Sequence, residues 1–301
     1  GERVLAPSCC RNVTAGMQVH TQSERATRSR KMVLEMLLSD MPERGYKWND
    51  AEGCEAQGEH GELSLWAKRM GVQVREALKP LQREAVSHDL SHPAMAVNLD
   101  ACIQCKRCVR ACREEQVNNV IGYAHRGAHS AITFDVGDPM GQSSCVACGE
   151  CVQACPTGAL MPTTQIGSQR VDREVDSVCP FCGVGCLLTY KVKDNRIVSV
   201  DGRDGPANHE RLCVKGRFGF DYIHNPQRLS VPLIRKPGVP KNPQALQDLN
   251  RDSAHWTEVF REATWEEALA LAAGGLVQLR DQYGPKSLAG FGSAKGSNEE
   301  A

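Results

Sequence analysis

The sequence has no excess of charge of either sign and no long apolar run. Its 301 residues include 36 Lys and Arg against 36 Asp and Glu, so the formal net charge is zero. A balanced chain creates no long-range field that would favour nucleic acid or an anionic membrane as a partner. No stretch approaches the roughly 18 apolar residues of a membrane-spanning helix. We therefore expect a soluble protein with no membrane span and no nucleic-acid partner.

Cysteine, by contrast, is abundant. The chain has 15 cysteines, and most of them stand in groups separated by two or three residues. In a small secreted protein this number would indicate disulfides, but close spacing within a large chain is typical of thiolates kept reduced for metal. Oxygen-labile metal clusters would need a reducing compartment, so we expect a cytoplasmic location.

Two of the cysteine groups share the spacing C-x2-C-x2-C-x3-C, and Pro156 follows the second group. In two-cluster ferredoxins, three cysteines of each run bind one [4Fe–4S] cluster, and the fourth reaches across to the other cluster. The predicted ligands of cluster one are Cys102, Cys105, Cys108 and Cys155. The predicted ligands of cluster two are Cys145, Cys148, Cys151 and Cys112. Structural zinc is the alternative, but zinc would leave a third close cysteine in each run.

A third group has the spacing C-x2-C-x3-C and gains a fourth cysteine 27 residues later. Its members are Cys179, Cys182, Cys186 and Cys213. Four soft ligands suit one more [4Fe–4S] cluster, with zinc again the alternative. Between the third and fourth cysteines, two apolar or alternating segments flank Asp194 and Asn195, which predicts a β-hairpin.

The third group and its surroundings resemble a known family. The run CPFCGVGC at residues 179–186, the hairpin and the run CVKGRF at residues 213–218 are similar to the N-terminal cluster domain of molybdopterin oxidoreductases, especially formate dehydrogenases. The two-cluster region before them is similar to the large, catalytic iron–sulfur subunit of NAD-dependent molybdenum or tungsten formate dehydrogenases. That subunit shares its N-terminal layout with the large iron–sulfur subunit of respiratory complex I. In the family, the lysine after the fourth cysteine lies between cluster and pterin, so the resemblance implies a cofactor-binding role for Lys215.

Two regions depart from the family pattern. The family's [2Fe–2S] domain uses four cysteines, and only the last has a counterpart here, at Cys9, with an ordinary buried thiol as the alternative. The family also often carries a cluster held by H-x3-C-x2-C-x5-C. Stepping that spacing back from Cys54 reaches Trp48, Gly45 and Met41. We therefore expect that this site is lost.

The resemblance implies a reaction and a set of partners. Formate would lose two electrons and a proton, giving CO2, at a molybdenum or tungsten bis-molybdopterin guanine dinucleotide. The electrons would pass through three [4Fe–4S] clusters, with one [2Fe–2S] cluster at the partial site, toward a flavin/NAD-binding subunit and a small [2Fe–2S] subunit. The family's catalytic residues would lie beyond residue 301, so none is predicted in this chain.

Two other hypotheses stay open. One is a pterin-free electron-transfer subunit of complex I or hydrogenase type, although the run CPFCGVGC favours the pterin enzyme. The other is an interaction scaffold whose clusters only stabilise its fold.

The predicted fold class is α+β, with several domains. Residues 1–30 would be the C-terminal remnant of a [2Fe–2S] ferredoxin domain, and residues 31–92 a helical region with the degenerate His/Cys site. A two-[4Fe–4S] ferredoxin domain would span 93–165, a small cluster-bearing β domain of molybdopterin oxidoreductase type 172–230, and the start of an α/β molybdopterin domain 231–301. Helices are predicted at about 27–41 and 63–79 and after Thr264, and a strand at 287–291.

Overall fold

The structure, a computed structural model, describes residues 4–41, 61–81, 86–166, 171–226, 228–241 and 256–292. The chain forms two compact units. The first contains Gly1–Cys179 and Cys186–Phe218, and the second contains Pro180–Gly185 and Gly219–Ala301. Helices and short antiparallel strands occur in both, in agreement with the predicted α+β class. No helix in the described ranges is long and apolar enough to cross a membrane.

Most helices are short. Those of the first unit are α1 (Glu24–Ser39), α2 (Gly61–Met70), α3 (Arg107–Arg110), α4 (Glu150–Ala154) and α5 (Val214–Phe218). Those of the second unit are α6 (Trp256–Val259) and α7 (Trp265–Tyr283). A π-helical turn, Ala111–Glu115, directly continues α3. The 3-10 turns are Ser8–Cys10, Glu76–Leu81, Leu99–Ala101, Gly127–His129, Met140–Gln142, Thr163–Gln165, Gly219–His224 and Pro285–Ser287.

All of the described strands pair antiparallel. The strands are β1 (Met95–Val97), β2 (Ile121–Ala124), β3 (Ala131–Phe134), β4 (Leu160–Pro162), β5 (Arg173–Val178), β6 (Leu187–Lys193), β7 (Arg196–Gly202), β8 (Leu233–Arg235) and β9 (Phe260–Glu262). They form the pairs β1–β4, β2–β3 and β8–β9 and the three-stranded sheet β5–β6–β7. Because β1 precedes the first cysteine run and β4 follows the second, their pairing closes the segment that carries both runs.

The predicted hairpin in the third cysteine region is confirmed. β6 and β7 are joined by Asp194 and Asn195, which have φ angles of 48° and 57°. Two consecutive left-handed residues match the right-handed twist of the strands, and Asn and Asp tolerate this conformation. The Asp194 N–H donates to the Asp172 carboxylate at 2.7 Å, which fixes the turn beside β5.

Helix α2 is shorter than the predicted helix over 63–79. It ends at Met70 because Gly71 takes a φ of 60°. The N–H of Val72 donates to the Ala67 carbonyl at 2.9 Å, and the N–H of Gly71 donates to the Lys68 carbonyl at 3.1 Å. This pair of bonds is a Schellman motif, and its left-handed residue is usually glycine.

In the second unit, one prediction is correct and one is wrong. Helix α7 begins as predicted, with the Thr264 hydroxyl accepting from the Glu267 N–H at 3.2 Å. The predicted strand at 287–291 does not form: Pro285–Ser287 is a 3-10 turn, and Leu288 to Gly292 pair with no described strand. An apolar run needs a partner ladder to become a strand, and the described part of the chain supplies none beside it.

Buried apolar residues surround the two ferredoxin-type cysteine runs. One core cluster includes Met95, Ile121, Phe134 and Met140, and it packs directly against the buried cysteines of both runs. A second, smaller cluster joins Met41 and Leu63 to Ala101 and Ala159. The core thus lies around the predicted cluster ligands and anchors α1 and α2 beside them.

Candidate metal centres

The loops of the two ferredoxin-type runs have the same backbone conformation. Two residues after the first cysteine of each run, Gln104 and Ala147 both have a φ of 56°. Two residues further on, Lys106 and Gly149 are left-handed as well, with φ of 61° and 75°. Helices α3 and α4 begin at the next residue in each run. The repeat in spacing is therefore also a repeat in structure.

The repeated turn directs a backbone amide at a cysteine sulfur. The N–H of Gln104 donates to the Sγ of Cys102 at 3.4 Å, and the N–H of Ala147 donates to the Sγ of Cys145 at 3.4 Å. Hydrogen bonds to thiolate sulfur stabilise negative charge and are one means by which proteins tune iron–sulfur potentials. Residues other than glycine and asparagine rarely adopt the left-handed conformation. In these loops it brings the backbone N–H within reach of the cysteine sulfur.

The four predicted ligands of cluster one line one cavity. It is bounded by Cys102, Cys105, Cys108 and Cys155, with apolar walls that include Leu99, Ile132 and Pro156. Three of its cysteines come from the first run, and Cys155 is the last cysteine of the second run. The structure therefore brings together the set that the sequence predicted, including the member from the other run.

The predicted ligands of cluster two line a second cavity in the same way. Its cysteines are Cys112, Cys145, Cys148 and Cys151, and its walls include Val120, Phe134 and Met140. Here the first run supplies Cys112. Each cavity is thus built by both halves of the segment, and the two halves cannot be separated without opening both cavities.

Burial and the charges of neighbouring cysteines raise the pKa of the most deeply buried thiol in each cavity. Burial, together with the charges of Cys155, Cys102 and Cys105, raises the pKa of Cys108 from 9.0 to about 12. Burial also raises the pKa of Cys151 well above 9.0, with smaller contributions from neighbouring cysteines of both runs. A bound metal reverses this balance, because a coordinating thiol is deprotonated.

The donor set and the walls fit an iron–sulfur cluster. Each cavity offers four soft sulfur ligands, apolar walls and one amide donor to sulfur, which are the features that hold and tune [4Fe–4S] clusters. Within the described ranges, no three His, Cys, Asp or Glu side chains converge on the position of a single metal ion. The cysteines of each set instead surround a cavity.

Thr157 lines the cluster-one cavity and bonds to the backbone beside it. Its side chain is 1% exposed, and its hydroxyl donates to the Ala101 carbonyl at 2.6 Å. The same hydroxyl lies 3.8 Å from the Sγ of Cys155. It therefore ties the last cysteine of the second run to the residue just before the first run, a contact that sequence reasoning did not identify.

The cysteines of the third group are divided between the two units. In the first unit, the N–H of Cys179 donates to the Cys186 carbonyl at 2.9 Å. A side chain at Gly216 would lie 3.5 Å from the Sγ of Cys179, so helix α5 passes close to this sulfur. Cys213 and Lys215 are exposed at the start of the same helix. Cys182 is exposed and belongs to the second unit.

The structure also reveals a buried ion pair that the sequence analysis missed. Arg217 is 2% exposed and its guanidinium donates to the Glu150 carboxylate at 2.6 Å. The two residues are 67 positions apart, and neither is a cysteine. In the sequence, Glu150 lies next to Cys151, and Arg217 lies one helical turn after Cys213. No local pattern indicated that these two residues pair.

The N-terminal candidates lie apart from these sites in what the structure describes. Cys9 and Cys10 are both exposed in the turn Ser8–Cys10, with their Sγ atoms 3.7 Å apart. The buried-thiol alternative for Cys9 is therefore wrong. Cys54, Trp48 and Gly45 of the predicted lost site lie outside the described residues. Met41, at the position of the family's histidine, is buried in the apolar cluster with Leu63.

Comparison with known proteins agrees with the geometry. Two segments of the chain are similar to known iron–sulfur domains. Residues 101–159 match the model of the 4Fe-4S dicluster domain, and residues 172–225 match the model of the molybdopterin oxidoreductase Fe4S4 domain.

Three relatives that align over most of the chain carry the names of oxidoreductases. The alpha subunit of an NADPH-Fe(3+) oxidoreductase from Geobacter sulfurreducens is 31% identical over 97% of this chain and 31% of its own length. A NADH-quinone oxidoreductase subunit from Rhizobium meliloti is 35% identical over 79% of this chain and 27% of its own length. A Staphylococcus haemolyticus protein provisionally named a formate dehydrogenase is 27% identical over 98% of this chain and 31% of its own length. The chain thus spans less than a third of the length of these relatives.

Proposed function

We propose that this chain is the electron-relay portion of a formate dehydrogenase subunit. In this proposal, formate gives CO2, one proton and two electrons at a molybdenum or tungsten bis-pterin centre carried by the same subunit. The electrons pass singly through three [4Fe–4S] clusters toward a flavin/NAD subunit and its small [2Fe–2S] partner in the cytoplasm. The chain itself positions the clusters and sets their potentials.

The observation that carries the relay is the pair of cysteine cavities. Each is walled by four thiols and apolar side chains, and each takes its fourth thiol from the other run. Two such cavities in one small domain share a core, so clusters bound in them would be neighbours, as a relay requires. A scaffold role would need only metal-stabilised folding and gives no reason for the repeated amide-to-sulfur contacts.

The choice of formate rests on the third cysteine group. The run CPFCGVGC and the helix with Lys215 lie inside the matched molybdopterin oxidoreductase Fe4S4 domain. By the family resemblance, Lys215 would lie between the third cluster and the pterin. Its exposure at the start of α5 is compatible with a role toward a group bound by the rest of the subunit.

A pterin-free relay is the second candidate function. The 35% identity to the NADH-quinone oxidoreductase subunit extends over 244 residues. Under this alternative, the same cavities and clusters serve a complex I or hydrogenase-type subunit, and no molybdenum or tungsten is present.

Metal content and formate reduction separate these functions. In the full-length protein, purified without oxygen, we expect about 12 iron atoms from these three sites together with one molybdenum or tungsten. Formate alone should then bleach the visible absorption of the clusters. Iron without either heavy metal, and no bleaching by formate, would favour the pterin-free relay. Zinc in place of iron would contradict both.

Cysteine substitutions test whether these cysteines bind the iron. Cys151→Ser should lower the iron content by about four atoms, the content of one cluster. Cys10→Ser and Cys54→Ser are the matched controls and should leave the iron content unchanged. A loss of about four iron atoms in Cys54→Ser would contradict the expected loss of the fourth family site.

A further inference from the structure

Arg217 is a buried cation that bonds to predicted ligands of two different clusters. Its backbone N–H donates to the Cys213 carbonyl at 3.1 Å. Its side-chain Nε–H donates to the Cys148 carbonyl at 3.0 Å. Cys213 is a predicted ligand of cluster three, and Cys148 is a predicted ligand of cluster two. The first bond is the ordinary i to i−4 bond of helix α5, so it is the side chain of Arg217 that ties this helix to the Cys148 loop.

The guanidinium of Arg217 is held in one position by a fixed set of acceptors. Its Nη2 donates to the Glu150 carboxylate at 2.6 Å, and its Nη1 donates to the Val200 carbonyl at 3.3 Å. Glu150 is itself buried and also accepts from the Leu212 N–H at 3.0 Å. The planar guanidinium can donate to several acceptors at once in a fixed geometry, and a lysine ammonium cannot reproduce this.

Gly149 makes room for this arrangement. A side-chain carbon at Gly149 would lie 2.0 Å from the Cδ of Arg217. The same residue is one of the left-handed positions of the cluster-two loop. The loop and the arginine therefore pack so closely that only glycine fits at position 149.

The charges of this pair lie next to the cluster-two cysteines. An electron added to a buried cluster is stabilised by a nearby cation and destabilised by a nearby anion, and burial strengthens both effects. Arg217 donates to the Cys148 carbonyl, and Glu150 lies in the chain between Cys148 and Cys151. The two groups should therefore shift the potential of cluster two in opposite directions.

We infer that Arg217 is a positioning residue for cluster two, which holds the Cys148 loop against the Cys213 helix and raises the reduction potential of that cluster. This inference rests on the proposed relay function and adds a named residue to it.

The test is a redox titration followed by electron paramagnetic resonance on full-length protein purified without oxygen. The cluster-two signal is the one that Cys145→Ser removes. Arg217→Met should lower its midpoint, with about a tenfold change in the equilibrium for reduction, or about 59 mV for a one-electron couple. Glu150→Gln should raise it. Arg217→Lys, which keeps the charge, should shift it less than Arg217→Met does.

A control variant removes the same charge beside the other cluster. Arg107 follows Lys106 in the cluster-one loop and pairs with Glu62 at 2.8 Å, with both side chains about half exposed. Arg107→Gln should leave the cluster-two midpoint unchanged. A shift equal to that of Arg217→Met would overturn the inference, because it would show that any lost charge has the same effect.

The direction in which the midpoint moves separates an electrostatic effect on cluster two from a general loss of structure. Midpoints that move in the same direction in Arg217→Met and Glu150→Gln, or that do not move, would overturn the inference. If Arg217→Met does not fold, Arg217→Met/Glu150→Gln is compared with Glu150→Gln, since the double variant leaves no unpaired buried charge and the two proteins differ only at Arg217. A midpoint of the double variant below that of Glu150→Gln supports the inference, and an equal or higher one overturns it. Absence of four-iron signals in the unaltered protein would instead overturn the proposed function.

Discussion

Thr157 shows how a single hydroxyl stabilises the cluster-one region. Its hydrogen bond to the Ala101 carbonyl is fully buried, so its loss would leave that carbonyl without this partner. We expect Thr157→Val to lower the free energy of unfolding by about 1–3 kcal/mol. Thr157→Ser keeps the hydroxyl and should lose much less. Denaturant unfolding under anaerobic conditions measures both, and equal losses in the two variants would show that the hydroxyl is not responsible.

His92 introduces a pH dependence at the start of β1. Its Nδ1 accepts from the N–H groups of Ala94 and Met95 at 3.1 and 3.2 Å. Burial lowers the pKa of His92 below 6.5, although the charge of Asp89 opposes this shift. Because the folded pKa is depressed, the stabilisation is complete above about pH 6.5 and is lost as the pH falls through the folded value.

The prediction is a fall in thermal stability between pH 7.5 and pH 5.5 that depends on His92. Gln at this position keeps an acceptor and does not titrate, so His92→Gln should show a smaller fall. Melting curves at both pH values test this. An equal fall in the two proteins would assign the pH dependence to other groups.

At the scale of elements, the end of α2 depends on one backbone angle. Gly71 has a φ of 60°, and nothing lies within 4 Å of a side-chain carbon added there. Gly71→Ala should therefore destabilise the protein by about 1 kcal/mol through backbone strain alone. Gly71→Asn is the control, since asparagine tolerates the left-handed region, and it should cost less. The free energy of unfolding of each variant decides, and a neutral Gly71→Ala would contradict this account of the helix end.

The same helix shows where sequence reasoning about elements failed. The apolar pattern over 63–79 predicted one continuous helix. Hydrophobic periodicity gives no sign that a single glycine, Gly71, takes the left-handed conformation and ends the helix. The hairpin β6–β7 was predicted correctly, because two residues suited to its turn separate two apolar segments. The strand at 287–291 was wrong, because a strand depends on a partner that the local sequence does not specify.

At the scale of the whole molecule, the cysteine sets could be predicted, and the contacts that support them could not. The spacing of the two runs was enough to predict that Cys155 joins the first set and Cys112 the second, and each set lines one cavity. By contrast, Arg217 and Glu150 are 67 residues apart, and Thr157 contacts a residue 56 positions away. Such contacts depend on the tertiary fold, and neither residue type marks a metal site by itself.

The crossed cysteine sets also link the two halves of the dicluster region. Residues of one core cluster line both cavities: Ile132 lines the first, and Phe134 and Met140 line the second. Loss of one cluster should therefore disturb the wall of the other. This coupling would suit the proposed relay, because it would fix the separation of the two predicted clusters.

The most direct test of this account asks which cysteines share a cluster. Four single variants, Cys102→Ser, Cys155→Ser, Cys145→Ser and Cys112→Ser, are compared by electron paramagnetic resonance of the reduced full-length protein. The account predicts that Cys155→Ser alters the same cluster signal as Cys102→Ser, and that Cys112→Ser alters the same signal as Cys145→Ser. If Cys155→Ser instead altered the signal that Cys145→Ser alters, the crossed ligation and the two-cavity relay built on it would be wrong.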